Sequence, residues 1–189
     1  MQASEFISFL GIIEKLKCNT RHSWTSSGRH ESVAEHSWRL AVIAMLLKDE
    51  FSDIDSEKVI KMCLVHDFGE AITGDIPSFN KKTSDEKNED KEVDKIIDLL
   101  PEKQRNEISA LFYEMREMKT IEAKLFKALD KLEAVISHNE ADLSTWIPLE
   151  YELNLIYGEN ECKNFEYLVI LRRILKDMSL NKISEEKNK

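Results

Sequence analysis

Glycine and proline are scarce in this chain, with 5 and 3 among 189 residues. A chain with so few turn-forming residues is poorly suited to the many short connections of a β-sandwich or a β-barrel. Apolar residues instead recur at helical spacing, and the first such stripe is Phe6, Phe9, Leu10, Ile13 and Leu16. No stretch shows the alternation that is typical of a strand. The sequence predicts an all-α, single-domain helical bundle.

Capping motifs indicate where several helices begin. Ser32 and Glu35 form a capping box for a helix that should run to about residue 50. Asp55 offers the next cap, and Thr120 can cap a strongly apolar helix later in the chain.

Two polar stretches are predicted to be loops, residues 18–31 and residues 80–92, and the second should be the most mobile part of the chain. We expect the domain to span residues 1–180. The polar tail of residues 181–189 is expected to fray.

Charge and hydropathy limit the partners. The net charge of -9 and the pI near 5.2 argue against binding to a nucleic-acid polymer, which requires clustered cations. The longest apolar run, residues 40–47, is too short to span a membrane, and no signal peptide is evident at the N-terminus. Three cysteines without C-x-x-C spacing indicate reduced thiols, so the predicted location is cytoplasmic.

One apolar helix runs directly into ionisable residues, in the segment "MCLVHDFGEAITGDIPSF". On a helix, residues three and four apart share a face, so His66, Asp67 and Glu70 should converge on one side of the helix end. For such a group taken alone, a solvated helix terminus is the commoner explanation. The alternative is that these side chains hold a ligand.

Two further residues favour the ligand. His36 lies at the edge of the apolar face of its helix, and Asp130 lies in the apolar stretch "KLFKALDKLEAVI". A buried, unpaired carboxylate costs at least about 2 kcal/mol, so a buried Asp130 would need a cation or hydrogen-bond donors. Two imidazoles and two carboxylates from three helices form a mixed set that suits a divalent first-row metal.

The segments "ESVAEHSWRLAVIAMLL", "LVHDFGEAITGDIP" and "EAKLFKALDKLEA" resemble the three signature helices of the HD-domain metal-dependent phosphohydrolases, within residues 32–140. The Gly-Asp-Ile-Pro segment and the upstream "NTRHSW…RHESVAEH" are most similar to the branch of 5'-deoxynucleotidases. The resemblance covers roughly residues 5–140, and it implies an HD-domain helical bundle.

The resemblance also implies roles for individual residues. The implied metal ligands are His36, His66, Asp67 and Asp130. Glu70 corresponds to the catalytic acid/base, and Asp67 lies beside it in the catalytic group. The implied substrate contacts are Arg21 for the phosphate, His22, and the sugar-contacting residues Asp75, Ile76, Pro77 and Ser78. A tryptophan implicated in rejecting ribonucleotides follows the arginine in the bacterial enzyme, and His22 stands there in this chain.

The implied reaction is metal-dependent removal of the 5'-phosphate from a (deoxy)nucleoside 5'-monophosphate. Another nucleotide remains an alternative, namely a triphosphate, an alarmone or a cyclic nucleotide. Any such substrate that carries extra phosphates would need more cations than Arg21 and Arg29. A non-catalytic nucleotide-binding module is the third possibility.

The donor set implies one divalent ion and does not distinguish Mn, Co, Fe, Zn, Ni and Mg. Base preference and the choice between deoxyribose and ribose also stay open. The residues Leu149, Leu153, Ile156 and Tyr157 lie at helical spacing. Together with the resemblance, this apolar surplus predicts a homodimer.

Overall fold

The computed structural model describes residues 2–187 and confirms the all-α prediction. The helices are α1 (Ala3–Ile13), α2 (Lys15–Cys18), α3 (Val33–Leu46), α4 (Ser56–Val65), α5 (Glu70–Thr73), α6 (Thr83–Ile97), α7 (Glu102–Glu117), α8 (Ile121–Glu140), α9 (Glu150–Ile156), α10 (Glu159–Cys162) and α11 (Glu166–Lys187). Two strands, β1 (Thr20–Trp24) and β2 (His30–Ser32), form a small antiparallel sheet. No helix among residues 2–187 is long and apolar enough to cross a bilayer.

The core is centred on α8, which packs against α3, α4 and α11. Thr120 caps α8 as predicted, because its Oγ1 accepts a hydrogen bond from the backbone N–H of Ala123 at 3.3 Å. Leu129 and Leu132 are fully buried, together with Met62 of α4 and Leu168 of α11. Each such side chain contributes about 1.5–3 kcal/mol of hydrophobic stabilisation. The three helices that carry the predicted metal ligands therefore meet in the best-packed part of the molecule.

The prediction of a loop over residues 18–31 is wrong, because most of that stretch forms the hairpin of β1 and β2. The register pairs Thr20 with Ser32 and Trp24 with His30, with an irregularity between the two pairs. Gly28 has φ +82, a left-handed conformation that the turn needs and that glycine adopts without strain. The paired strands are too short and too irregular to show alternation in the sequence.

The prediction of a mobile loop over residues 80–92 is also wrong, because α6 begins at Thr83. The carboxylate of Asp85 accepts a hydrogen bond from the backbone N–H of Lys82 at 2.9 Å, which satisfies one free donor at the helix start. Glu and Lys, the commonest residues in this stretch, are good helix formers. Only Val93, Ile96 and Ile97 of α6 are buried. The apolar spacing from which a helix can be predicted is therefore present only in the last turns of α6.

Within the described part, α11 continues beyond residue 180 to Lys187. Ser179 is fully buried and its hydroxyl donates to the side-chain carbonyl of Asn139 in α8 at 3.1 Å. Lys182 donates to the Asn139 carbonyl at the end of α8 at 2.8 Å. These contacts tie the late turns of α11 to the core helix. Residues 188–189 lie outside the described residues.

Candidate metal and substrate site

The His-Asp pair lies where α4 ends. His66 is the C-terminal cap of α4, and its Nδ1–H donates to the Cys63 carbonyl at 2.9 Å. Nε2 of the same ring points the other way and lies 3.0 Å from Oδ1 of Asp67. The chain then turns sharply into the one-turn helix α5, which places Glu70 beside the pair. The three side chains therefore converge as the local spacing predicted. They do so across a turn between α4 and α5, and not along one continuous helix.

His36 and Asp130 complete the cluster from α3 and α8. Nε2 of His36 lies 3.2 Å from Oδ1 of Asp130, and Nε2 of His66 lies 4.0 Å from the same oxygen. Metal–ligand bonds of about 2.1 Å place adjacent donors about 3 Å apart and opposite donors about 4.2 Å apart. The two separations fit one coordination shell, and His36, His66 and Asp67 have donor atoms within 4.8 Å of one another. This geometry is compatible with a single divalent ion.

The charges of the cluster also suit a cation. Burial by itself would lower the pKa of His36, but the carboxylates of Glu133 and Asp130 outweigh it and raise that pKa to about 9. Burial would raise the pKa of Asp67, whereas the adjacent His66 lowers it to about 2. The cluster thus combines ionised carboxylates with a protonated imidazole. A divalent ion that enters would displace the imidazole proton, as metal binding to histidine does in general.

Glu70 has the opposite protonation behaviour. Its side chain is 5% exposed, and its Oε2 has no hydrogen-bond partner among the described residues. Burial, followed by the negative charges of Asp67, Asp75 and Glu89, raises the pKa of Glu70 to about 10. Lys81 opposes this shift only partly, with its Nζ 3.8 Å from Oε1. A carboxyl group with this pKa carries a proton at neutral pH.

Arg21 approaches the cluster from β1. Its Nη1 donates to Glu31 at 3.1 Å and to Glu133 at 3.3 Å. Because both glutamates bind the same nitrogen, they leave the remaining guanidinium nitrogens to other acceptors. Its side chain is 15% exposed, so it is held firmly while still bordering the open space beside the cluster.

The segment after Gly74 forms the opposite wall. Gly74 has φ +72, which allows the chain to turn away from α5. The Asp75 carboxylate accepts a hydrogen bond from the backbone N–H of His22, and Ser78 Oγ lies 3.2 Å from the hydroxyl of Tyr157. Nε2 of His22 lies 3.1 Å from Oε1 of Glu150. The hairpin, this segment and α9 are thereby connected around one opening.

A cleft of about 1050 Å³ occupies the space between these walls. Every residue that the sequence analysis assigned to the site lines it: Arg21, His22, His36, His66, Asp67, Glu70, Asp75, Ile76, Pro77, Ser78 and Asp130. The cleft is large enough for a nucleotide, since ligand pockets typically measure about 300–1,000 Å³.

The sequence analysis missed several residues of the cleft. Lys127 lies three residues before Asp130 on α8, so the helical period could have revealed it. Lys81 and Glu89 had no such signal, because the stretch that contains them was predicted to be a loop.

The cationic side chains that line the cleft also differ from the predicted pair, Arg21 and Arg29. Arg29 pairs with the half-exposed Glu35 and is not part of the cleft lining. Lys81, Lys127 and Lys131 line the cleft instead, each with a carboxylate within ion-pair distance, namely Glu89, Asp130 and Glu161. The cleft thus has more cations than expected, but their charge is largely compensated.

Comparisons with known proteins agree with this architecture. The family model for the HD domain matches residues 13–166. The chain belongs to the HD-domain family. Its relatives include the human 5'-deoxynucleotidase HDDC2, 34% identical over 142 residues (73% of this chain and 69% of the relative), and the 5'-deoxynucleotidase HDDC2 of Dictyostelium discoideum, 35% identical over 147 residues (72% and 77%).

A solved structure provides an independent comparison. A predicted metal-dependent phosphohydrolase from Magnetospirillum magnetotacticum MS-1 is 30% identical, with a TM-score of 0.79, covering 95% of this chain and 93% of the other. The resemblance to HD-domain proteins of the 5'-deoxynucleotidase branch is confirmed. The HD-domain phosphohydrolase fold implies a divalent metal ion.

Proposed function

We propose that this protein is a metal-dependent phosphohydrolase that removes the 5'-phosphate from nucleoside 5'-monophosphates, with deoxynucleotides as the expected substrates. The observation that carries the proposal is the meeting of His36, His66, Asp67 and Asp130 beside a protonated, buried Glu70. The names of the relatives, 5'-deoxynucleotidase in humans and in Dictyostelium, support the substrate class.

The proposed metal ligands are His36, His66, Asp67 and Asp130. A bound divalent ion would polarise the phosphoryl group and lower the pKa of a coordinated water. The protein keeps both imidazoles ready for it, because His66 Nδ1 is bound to a backbone carbonyl and His36 Nδ1 to a carboxylate. In each ring Nε2 is thereby left for the ion.

Glu70 is the proposed general acid. Its raised pKa means that it can donate a proton to the oxygen of the leaving nucleoside, and it lies beside the ligand Asp67. Asp67 has a double role in this proposal. It binds the ion, and its negative charge is one of the causes that keep the proton on Glu70.

Arg21 is the proposed phosphate contact, because a guanidinium can grip a phosphate with two parallel hydrogen bonds. The remaining proposed substrate contacts border the same cleft: His22, Asp75, Ile76, Pro77 and Ser78. Asp75 is suited to a sugar hydroxyl, since a carboxylate accepts hydrogen bonds.

We also propose a homodimer in the cytoplasm. The four residues predicted at the interface divide in the structure, because Leu153 and Tyr157 line the cleft whereas Leu149 and Ile156 are 49% and 58% exposed. A second exposed apolar stripe runs along α11: Tyr167, Ile170, Ile174 and Met178. These surfaces are the proposed interface. A monomeric mass by light scattering at micromolar concentration would contradict it.

Phosphate release from a panel of nucleotides tests the function directly. The protein is first stripped with a chelator, and Mn, Co, Fe, Zn, Ni and Mg are then added back singly. We expect activity on monophosphates to disappear with chelation and to return with at least one metal. Hydrolysis confined to triphosphates, alarmones or cyclic nucleotides would establish one of the alternative HD activities, and binding without turnover would indicate a non-catalytic module.

Glu70→Gln tests the proton donor. We expect kcat to fall at least about a hundredfold, because a positioned acid or base contributes about 10²–10⁴ in rate. Metal content should stay at the wild-type level, since Glu70 is not a proposed ligand. Turnover close to wild type would remove Glu70 from the mechanism.

A further inference from the structure

Glu133 lies one turn after Asp130 on α8, and its side chain is completely buried. Its two oxygens have different partners. Oε2 accepts hydrogen bonds from Nδ1 of His36 and from Nη1 of Arg21, the latter at 3.3 Å. Oε1 accepts from Nε of Arg39 at 2.7 Å and from the Ser137 hydroxyl at 3.1 Å. Oε2 thus binds two residues that line the cleft, whereas Oε1 binds Arg39 of α3 and Ser137 of α8.

The burial of this carboxylate is compensated by those partners. A buried anion is tolerated only where cations and donors surround it, and the four donors to Glu133 meet that requirement. The partners on Oε1 prevent the carboxylate from rotating. The position of Oε2 relative to the cluster is therefore fixed by the protein itself.

We infer that Glu133 is a positioning residue that fixes His36 and Arg21 relative to each other. By accepting the proton on Nδ1, it leaves Nε2 of His36 for a metal ion and orients the ring, as carboxylates behind metal-bound histidines do. By the same oxygen it holds Arg21, the proposed phosphate contact. The inference rests on the proposed function, because it assigns Glu133 a role toward the ion and the phosphate of that site.

Glu31 provides a matched comparison within the same cluster. It is also buried, at 6% exposure, and it also binds Nη1 of Arg21, at 3.1 Å. Within residues 2–187, however, it makes no hydrogen bond to the His36 ring. Removing either charge therefore perturbs Arg21, whereas only the change at Glu133 removes the anchor of His36.

The test is the affinity for Zn²⁺ and Mn²⁺, measured by calorimetric titration of the full chain without substrate. We expect Glu133→Gln to weaken metal binding 10–100-fold, the effect typical of losing such a partner. Glu31→Gln should change it less than about threefold. Both variants should raise the KM for a nucleoside monophosphate, since both loosen Arg21.

A spectroscopic readout separates positioning from a general loss of structure. Histidine ¹⁵N spectra of the zinc-loaded wild type should show His36 protonated at Nδ1, and in Glu133→Gln this signature should be lost or mixed. If Glu133→Gln does not fold, Arg39→Met is the substitute, because it removes a partner of Oε1 and leaves His36 itself untouched. It should weaken metal binding by at least about threefold.

Several outcomes would overturn the inference. The first is a folded Glu133→Gln with wild-type metal affinity. The second is a loss of metal affinity in Glu31→Gln equal to that in Glu133→Gln. Where Glu133→Gln does not fold, the third is an unchanged metal affinity in Arg39→Met. A wild-type protein that binds neither ion would overturn the proposed metal centre together with the inference. If the wild type binds metal and Glu133→Gln binds it equally well, only the inference fails.

Discussion

Gly69, between the His-Asp pair and Glu70, is the position where the smallest substitution should have a large effect. A Cβ added there would lie 2.6 Å from Cγ of Glu89, 2.9 Å from the Glu89 carbonyl oxygen and 3.0 Å from Cγ2 of Val93. The Glu89 side chain can rotate away from a new methyl group. The carbonyl oxygen and Val93 belong to the body of α6, so they can yield only if the helix moves.

Two opposing contributions set the magnitude for Gly69→Ala. The backbone has φ -57, which alanine adopts readily, so the loss of unfolded-state freedom would by itself stabilise the protein by about 0.4–1 kcal/mol. Overpacking of a close contact costs about 1–3 kcal/mol. The second contribution is the larger, and we expect a net loss of about 1–2 kcal/mol in the free energy of unfolding. Because α6 carries Glu89 toward Glu70, kcat should fall as well.

Urea denaturation measures this change, and Gly11→Ala is the matched control. Gly11 lies inside α1, where a new Cβ would meet nothing within 4 Å. The control should therefore gain about 0.5–1 kcal/mol from its higher helix propensity. If Gly69→Ala proved as stable as the wild type or more stable, the argument that α6 is packed rigidly against Gly69 would be refuted.

Three further predictions concern other parts of the molecule. Thr120→Ala removes the cap of α8 and should lower the free energy of unfolding by about 1 kcal/mol, measured in urea, and an unchanged midpoint would contradict it. The hydrogen bond from Arg29 lowers the pKa of Glu35 from 4.5 to about 2, so this group stabilises the fold above pH 4.5 and loses its contribution as the pH falls toward 2. Glu35→Gln should therefore lower the free energy of unfolding by at most about 1 kcal/mol at pH 7, since the Arg29–Glu35 pair is exposed, and by little at pH 2. A difference in stability that does not change with pH would count against this. Alkylation of the native protein at pH 8 should modify the exposed Cys18 alone, because Cys63 and Cys162 are buried and burial raises the pKa of both thiols. A second label detected by mass spectrometry would contradict this.

The sequence predicted those parts of the site whose signals are local. His66, Asp67 and Glu70 lie within five residues, and this short spacing predicted that they would converge. His36 and Asp130 were assigned through the periodicity of their helices and the family resemblance, and the structure places them within 3.2 Å of each other. The helix caps at Ser32, Asp55 and Thr120 are likewise local features, and all three side chains accept the expected backbone hydrogen bond.

Features that depend on distant contacts were not predicted. The helix α6 is polar over most of its length, and its position is set by the close approach at Gly69 and by three apolar residues near its end. The last turns of α11 are held by hydrogen bonds from Ser179 and Lys182 to Asn139 of α8. Glu133 looks like any glutamate on a helix, and only the approach of α3 and β1 shows that it is surrounded by donors.

The residues around the cleft come from two kinds of chain segment. The proposed ligands lie on or directly after core helices that pack against one another, whereas Arg21, His22 and the segment Asp75–Ser78 belong to a hairpin and a connection at the molecular surface. Connections accept insertions and replacements far more readily than buried helices do. Natural variation in these two segments can therefore change which nucleotide is accepted while the ion-binding apparatus is inherited intact, and an engineer seeking a new substrate should begin there.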